Sequence, residues 1–314
     1  MKTKVVVLGG GTGMSTLLRG LKDYPLDITA IVSVCDDGGS TGRLRKEFNN
    51  PAVGDIRKVI ASLSETEPLF EKLLNYEFHT NSELDGHKVG NLLLTALGEI
   101  SGNMSDGIES ISKVLNLKGK VVPLTEDNVT LIGEMKDGSI IEGEHLITES
   151  HKGIKRVYYK EKPAATEASL KAIEEADLII LSIGSIYTSI IPNLLIPEIL
   201  RAIDNSKAKI MYICNMMTQP GETDGYKASD HVKLLNKYLG MRKIDTVIVN
   251  KEKISKKIAK KYETLEQKDQ VEYDKKELEK LGITIIADDL VALDGTMIRH
   301  NVKKLAFHIF SRVI

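Results

Sequence analysis

The stretch Lys4–Leu8, KVVVL, runs directly into three glycines, Gly9-Gly10-Gly11. An apolar, β-branched run without polar alternation suits a strand buried on both faces of a parallel sheet. Helical spacing follows across Ser15–Leu21, and a second apolar run, ITAIVSV, covers Ile28–Val34. Strand, glycine turn, helix and strand within about 30 residues open a doubly wound α/β fold. This constrains function as well as fold. In an open parallel sheet, ligands sit outside the carboxyl ends of the strands, so the loops that follow strands are where chemistry is to be sought.

Helical patterns dominate from Gly54 to about Leu115, with Asp55 placed as an N-cap ahead of IRKVIASL. VTLIGEM and SIIEGEHLIT then alternate around Lys136-Asp137-Gly138-Ser139, a hairpin signal, and IKRVYYK adds a third strand. These predict an antiparallel extension of the main sheet. The α/β rhythm returns with a helix over Thr166–Glu175 and the strands DLIILSIG, KIMYIC, DTVIVN and TIIADDL. A lysine-rich helix precedes the last of these, and a final helix is expected from about Gly295. The expectation is one Rossmann-like domain, doubly wound and mostly parallel, over residues 1–314. It carries a helical insertion at about 54–115 and a β-hairpin insertion at about 121–160.

The 43 basic and 44 acidic residues nearly cancel, which argues against a general nucleic-acid or membrane-surface binder. Two cysteines, Cys35 and Cys214, without CxxC spacing support neither a disulfide framework nor a zinc ribbon. No uncharged run approaches the roughly 18 residues of a membrane span, and MKTKVVVLGGG does not read as a signal peptide. A cytoplasmic protein is expected.

The loops after the strands are rich in small and hydroxyl residues, which let backbone amides approach phosphate. GGGTGMS misses the dinucleotide fingerprint at its third glycine, where Met14 stands, and is not a Walker A loop. CDDGGSTGRLR, Cys35–Arg45, sets Asp36 and Asp37 beside flexible amides, two hydroxyls and two arginines. A phosphate-rich ligand carrying a divalent ion satisfies both halves, since Mg²⁺ sits between carboxylates and diphosphate oxygens and arginine forks onto phosphate. A turn whose arginines pair with its own acids is the plainer alternative. Asp55 in Gly54-Asp55-Ile56-Arg57 is a helix cap or a second metal contact. Asn215, Thr218 and Gln219 suit a base edge or sugar hydroxyls, and Tyr262 a stacked base or simple packing. The histidines show no zinc spacing.

GGGTGMSTLLRGL, DDGGSTGRLR, GDIR, GHKVGNLLLTAL and NMMTQPGET, in this order, resemble the YvcK-type gluconeogenesis factors. That family is related to 2-phospho-L-lactate transferase (CofD), which completes a deazaflavin cofactor. The resemblance implies a Rossmann-like core, binding of a nucleotide sugar (UDP-sugar), and a role in cell shape and growth on gluconeogenic carbon sources. A protein partner in cell-wall synthesis and a homo-oligomer are further expectations. The transferase branch holds a divalent metal on acids that match Asp36 or Asp37, and Asp55.

Two readings follow. In the first, a metabolite-responsive regulator binds a UDP-sugar without turnover. The nucleotide is held by Gly10, Gly11, Thr12, Gly13, Asp37, Gly39, Ser40, Thr41, Arg43, Asn215, Thr218, Gln219, Tyr262 and Arg299, the last expected one turn into the final helix. In the second, a phosphotransferase holds Mg²⁺ on Asp37 and Asp55. The low aromatic content, 5% with no tryptophan, counts mildly against a deazaflavin acceptor. An NAD-dependent dehydrogenase is a third, weaker reading.

Overall fold

The computed structural model describes residues 2–65, 68–255, 264, 266–294 and 297–313. Its centre is a seven-stranded parallel sheet built from β1 (Thr3–Gly9), β2 (Leu26–Val32), β3 (Lys120–Pro123), β7 (Leu178–Leu181), β8 (Lys209–Ile213), β9 (Thr246–Asn250) and β10 (Thr284–Asp288). The spatial order is β10-β9-β8-β7-β1-β2-β3. Three further strands, β4 (Leu131–Met135), β5 (Ile140–Glu142) and β6 (Ile154–Tyr159), form their own antiparallel sheet. β11 (Val291–Asp294) and β12 (Met297–His300) form a hairpin.

The uninterrupted apolar runs have the cause expected of them. Val5, Val7 and Leu8 in β1 and Ile179, Ile180 and Leu181 in β7 are fully buried, because helices cover both faces of the sheet. Helix α1 (Gly11–Leu21) turns Leu17, Leu18 and Leu21 into that core and packs on α3 (Gly54–Leu63). Between β2 and β3 the chain inserts α2 (Gly39–Phe48), α3, α4 (Pro68–Asn75), α5 (Val89–Ser101) and α6 (Met104–Val114).

Three expectations are corrected. Val121–Pro123 pairs in parallel with Ala30–Val32, so the start of the anticipated hairpin insertion is the edge of the main sheet. The strands that follow stand apart from that sheet, with β4 paired to β5 and β6 in a separate antiparallel sheet of their own. The last helix runs over Val302–Phe310, where Asn301 caps it by accepting from the Lys304 amide, so Arg299 lies on β12 and not on a helix. The alternation of exposed Met297 and Arg299 with buried Ile298 and His300 is a period of two, which the helical reading overlooked.

The loop expected at Cys35–Arg45 is also shorter than its glycines suggested, since α2 begins at Gly39. Its two arginines part company. Arg45 is 7% exposed, and its guanidinium donates to Asn128 Oδ1 at 3.0 and 2.6 Å, to the carbonyls of Cys35 (3.3 Å) and Asp36 (3.0 Å), and to that of Val129. It welds the loop after β2 to the chain entering β4. Replacing Arg45 with Ala strands several buried acceptors, and Lys cannot fork across them. Both variants should lose about 3 kcal/mol of stability on the scale of such buried losses, read as a lower midpoint in urea unfolding.

Candidate functional site

β1 is flanked by β2 on one side and β7 on the other, and the chain leaves these strands in opposite directions. This is the topological switch point, where loops diverge and leave a crevice. Helix α1 starts there. Its N-cap, Gly10, makes no side-chain capping bond, so the first-turn amides of Gly11, Thr12 and Gly13 form an open positive end suited to an anion. A crevice of about 440 Å³ lies beside it, lined among others by Thr12, Gly13, Gly184, Ser185, Asn215, Thr218, Gln219, Lys268, Arg299 and His300. A larger hollow of about 740 Å³ around Lys209 and Arg242 lies at the amino ends of the strands, away from the loops at their carboxyl ends.

The walls of this crevice are tied together. Asn215 Nδ2 donates to the Gly184 carbonyl at 2.7 Å, and the Gly184 amide returns to Asn215 Oδ1 at 3.4 Å. The Thr218 hydroxyl accepts from the Asp269 amide at 2.9 Å. Gln219 Oε1 is buried without a hydrogen-bond partner among the described residues, an acceptor left open beside the crevice. Arg299 is exposed, and its one hydrogen bond among the described residues is to the Met297 thioether at 3.5 Å. The acids Asp288 and Asp289 at the end of β10 face Lys304 instead, and Asp288 also meets His308 at 2.9 Å.

The acids lie on the β2 side of α1. Asp55, 9% exposed, pairs with Lys58 at 2.9 Å and presses on the glycine turn, so that a Cβ at Gly10 would lie 2.6 Å from its Oδ2. Asp36 accepts from the Gly38 amide at 3.0 Å and presses in the same way on Gly54, where a Cβ would lie 2.7 Å away. Glycine is required at both positions by close packing. Burial first, and then the Asp55 carboxylate, push Asp36 up from the usual carboxylate range. Asp37 is turned elsewhere and accepts from the His145 amide at 2.9 Å, at the start of a short helix, α7 (Glu144–Glu149). Glu144 joins the group. Burial, and then Asp36, push its carboxyl up to about 7 against a hydrogen bond from Thr188.

The structure thus divides the anticipated residues into neighbouring sets. Thr12, Gly13, Asn215, Thr218, Gln219 and Arg299 line one crevice, with Gly10 and Gly11 at its edge. Asp37, Asp55, Gly39, Ser40 and Thr41 stand with the acids and the start of α2. Ser40 is engaged with His87 Nδ1 and Asn91 Nδ2, both at 3.1 Å. Arg43 is exposed on α2 and donates to the carbonyls of Glu83, at 3.2 Å, and Asp85. Tyr262 and most of the lysine run lie outside the described residues. The Asp55 carboxylate acts on Asp36, whereas Asp37 of the anticipated pair is turned to the His145 amide. Among the described residues no three His, Cys, Asp or Glu side chains converge as a ready set of metal ligands.

Sequence reasoning missed Glu144, Glu222 and His87. Glu144 lies in the hairpin segment, far along the chain from the acids it joins. Glu222 lies in NMMTQPGET, among the hydroxyls and amides of the loop after β8, yet it is 4% exposed, and burial pushes its carboxyl up to about 7. His87 stands in the GHKVGN motif, which was the available signal.

A fold of this order, with a glycine turn at its switch point and acids beside it, is a Rossmann-like doubly wound α/β protein. The family model for 2-phospho-L-lactate transferase CofD matches residues 5–291, and the chain belongs to that family. Several near-full-length relatives carry the name gluconeogenesis factor. The "Gluconeogenesis factor" of Bacillus subtilis (strain 168) is 48% identical over 306 residues, covering 97% of this chain and 96% of the relative. A "Putative gluconeogenesis factor" of Aquifex aeolicus (strain VF5) is 44% identical over 313 residues, covering 97% and 94%. A crystal structure of a Bacillus halodurans protein, 47% identical, superposes with a TM-score of 0.95 and covers 99% of this chain and all of its own.

The raised carboxyls make a stability prediction. Between the ordinary glutamate value of 4.5 and about 7, Glu222 ionises in the unfolded chain but holds its proton when folded. Its contribution is therefore fully present below 4.5 and is lost as pH rises through this window. A Glu222→Gln variant lacks that loss. Its stability relative to the parent should rise with pH across the window, by at most about 3 kcal/mol, in denaturant unfolding at matched pH values.

Proposed function

We propose that the protein binds a nucleotide sugar of the UDP-sugar kind and acts as a cytoplasmic regulator of cell shape and of growth on gluconeogenic carbon sources. The observation that carries the reading is the crevice beside α1. The uncapped first turn of α1 suits a diphosphate, while Gln219 Oε1 offers an unused acceptor to a base or sugar donor. Arg299 adds positive charge at the rim, where Lys268 is paired with Glu266 at 2.9 Å. The name of the Bacillus subtilis relative, gluconeogenesis factor, supports the metabolic role. A protein partner in cell-wall synthesis and assembly into a homo-oligomer belong to the same reading.

The second reading is a metal-dependent phosphotransferase, favoured by the repulsion that the Asp55 carboxylate exerts on Asp36 and by the transferase for which the family is named. Mg²⁺ keeps several waters and takes one or two carboxylates together with phosphate oxygens, so a pair of acids fits it once a diphosphate is present. Asp55, with Asp36 or Asp37, would hold the ion, which would steady charge on a leaving diphosphate. Lys58 would then have to yield Asp55.

Mass spectrometry of nucleotides released from the purified protein, with calorimetric titration of UDP-sugars, tests the first reading. Absence of any UDP-sugar binding would sink it. An Arg299→Ala variant should lose ligand-induced thermal stabilisation while its unliganded melting temperature stays nearly constant, because the side chain is exposed. For the parent, ligand at about a hundred times its dissociation constant contributes about 2.7 kcal/mol. Asp55→Asn should leave UDP-sugar affinity within a few fold. Loss of a metal-dependent transfer activity in that variant would instead establish the transferase.

A further inference from the structure

His300, on β12, lines the crevice and is 9% exposed. Its Nε2 stands 3.2 Å from the carbonyl of Cys214, the residue that follows β8. A carbonyl can only accept, so Nε2 carries the proton of the neutral ring and Nδ1 keeps a bare lone pair. Geometry favours this neutral state. A second proton, on Nδ1, would find no acceptor, because Nδ1 has no hydrogen-bond partner among the described residues. Burial acts in the same direction and pushes the ring down to about 4, against the smaller opposing pull of the Cys214 carbonyl.

Other polar side chains around the crevice are already committed. Asn215 spends its amide group and its oxygen on Gly184. The Thr16 hydroxyl donates to the Thr12 carbonyl at 2.8 Å, and the Thr218 hydroxyl accepts from the Asp269 amide. His300 instead offers an unused acceptor whose tautomer is fixed from behind. Such a nitrogen discriminates between parts of a ligand. An ionised phosphate has no proton to give, and would set lone pair against lone pair in a buried place. A neutral O–H or N–H satisfies the ring. The amide end of α1 has the opposite preference, for an anion. The two features together order a ligand that carries both kinds of group.

We infer that His300 is a specificity-determining residue of the crevice: its Nδ1 accepts a hydrogen bond from a neutral O–H or N–H of the bound nucleotide sugar, while the diphosphate lies at the start of α1. The identity of the ligand rests on the function proposed above; the fixed acceptor does not. The donor has two sources in such a ligand, the nucleoside and the sugar beyond the diphosphate.

Two substitutions separate the two ring nitrogens. His300→Gln sets an amide near the old Nε2, where it can donate to Cys214, and removes the acceptor at Nδ1. His300→Asn sets an acceptor near the old Nδ1 and gives up Cys214. In calorimetric titration with UDP-glucose the Gln variant should bind about fivefold more weakly, the factor of one neutral hydrogen bond, with an unliganded melting temperature close to the parent's. The Asn variant should bind within about twofold of the parent and melt lower. Titration with UDP assigns the source. A loss in the Gln variant that persists with UDP puts the donor on the nucleoside, and a loss seen with UDP-glucose alone puts it on the sugar. A Gln variant that binds UDP-glucose as tightly as the parent, or an Asn variant as weak as the Gln variant, overturns the proposal. Nitrogen-15 NMR of the ligand-free parent, with the His300 signals assigned by their loss in the Gln variant, tests the acceptor alone. Between pH 6 and pH 8 it should show a protonated Nε2 and a bare Nδ1. A proton on Nδ1, or an average of both tautomers, overturns the proposal whatever binds. If the ring is fixed as described and UDP-glucose fails to bind the parent, the acceptor stands and the ligand assigned above falls.

Discussion

The pairing of β1 with β2 on one flank and β7 on the other is the constraint from which the site follows. The register aligns Val5–Leu8 with Ile28–Ile31 and with Leu178–Leu181, so three strands end at one level. Their loops must then part, one group toward the acids and the other toward Asn215 and Gln219. Two glycines make the closure tight, because Asp55 rests on Gly10 and Asp36 on Gly54. A side chain at either position would force a carboxylate out of place. The crevice and the acid group are consequences of strand order, tuned by contacts that only glycine permits.

Much of this was legible in the chain because it rests on local patterns. KVVVLGGG declared a buried strand and a turn, and DLIILSIG and KIMYIC declared the partners that complete the crevice. Legibility ended where tertiary placement decides. Nothing local distinguishes Arg43 from Arg45, yet one is exposed on α2 and the other is a buried weld. Asp36 and Asp37 are adjacent in sequence, but opposite pointing gives one to Asp55 and the other to the His145 amide. Glu144 and Glu222 could not be recognised at all, since the burial that alters them is supplied by segments remote in sequence.

The two sets of groups around α1 suit different work. The crevice side has Arg299 at its rim, its lining acid, Glu266, paired with Lys268, and an open helix end, features that favour holding an anion. The acid side collects carboxylates whose mutual repulsion a cation would relieve. A ligand spanning the start of α1 would touch both. Binding and transfer chemistry are therefore alternatives within one architecture, separated by whether the acids are completed by an ion.

The β11–β12 hairpin shows how one segment's length can govern a surface. Met297 and Arg299 face outward while Ile298 and His300 face inward, with His300 Nε2 3.2 Å from the Cys214 carbonyl. Because a strand alternates its faces, the assignment depends only on whether the count of residues leading into it is odd or even. One residue inserted before Met297 would turn the guanidinium into the core and the imidazole outward, whereas two would restore the arrangement at a longer reach. Drift in this hairpin is thus expected to come in steps of two, a parity rule imposed by the pleat.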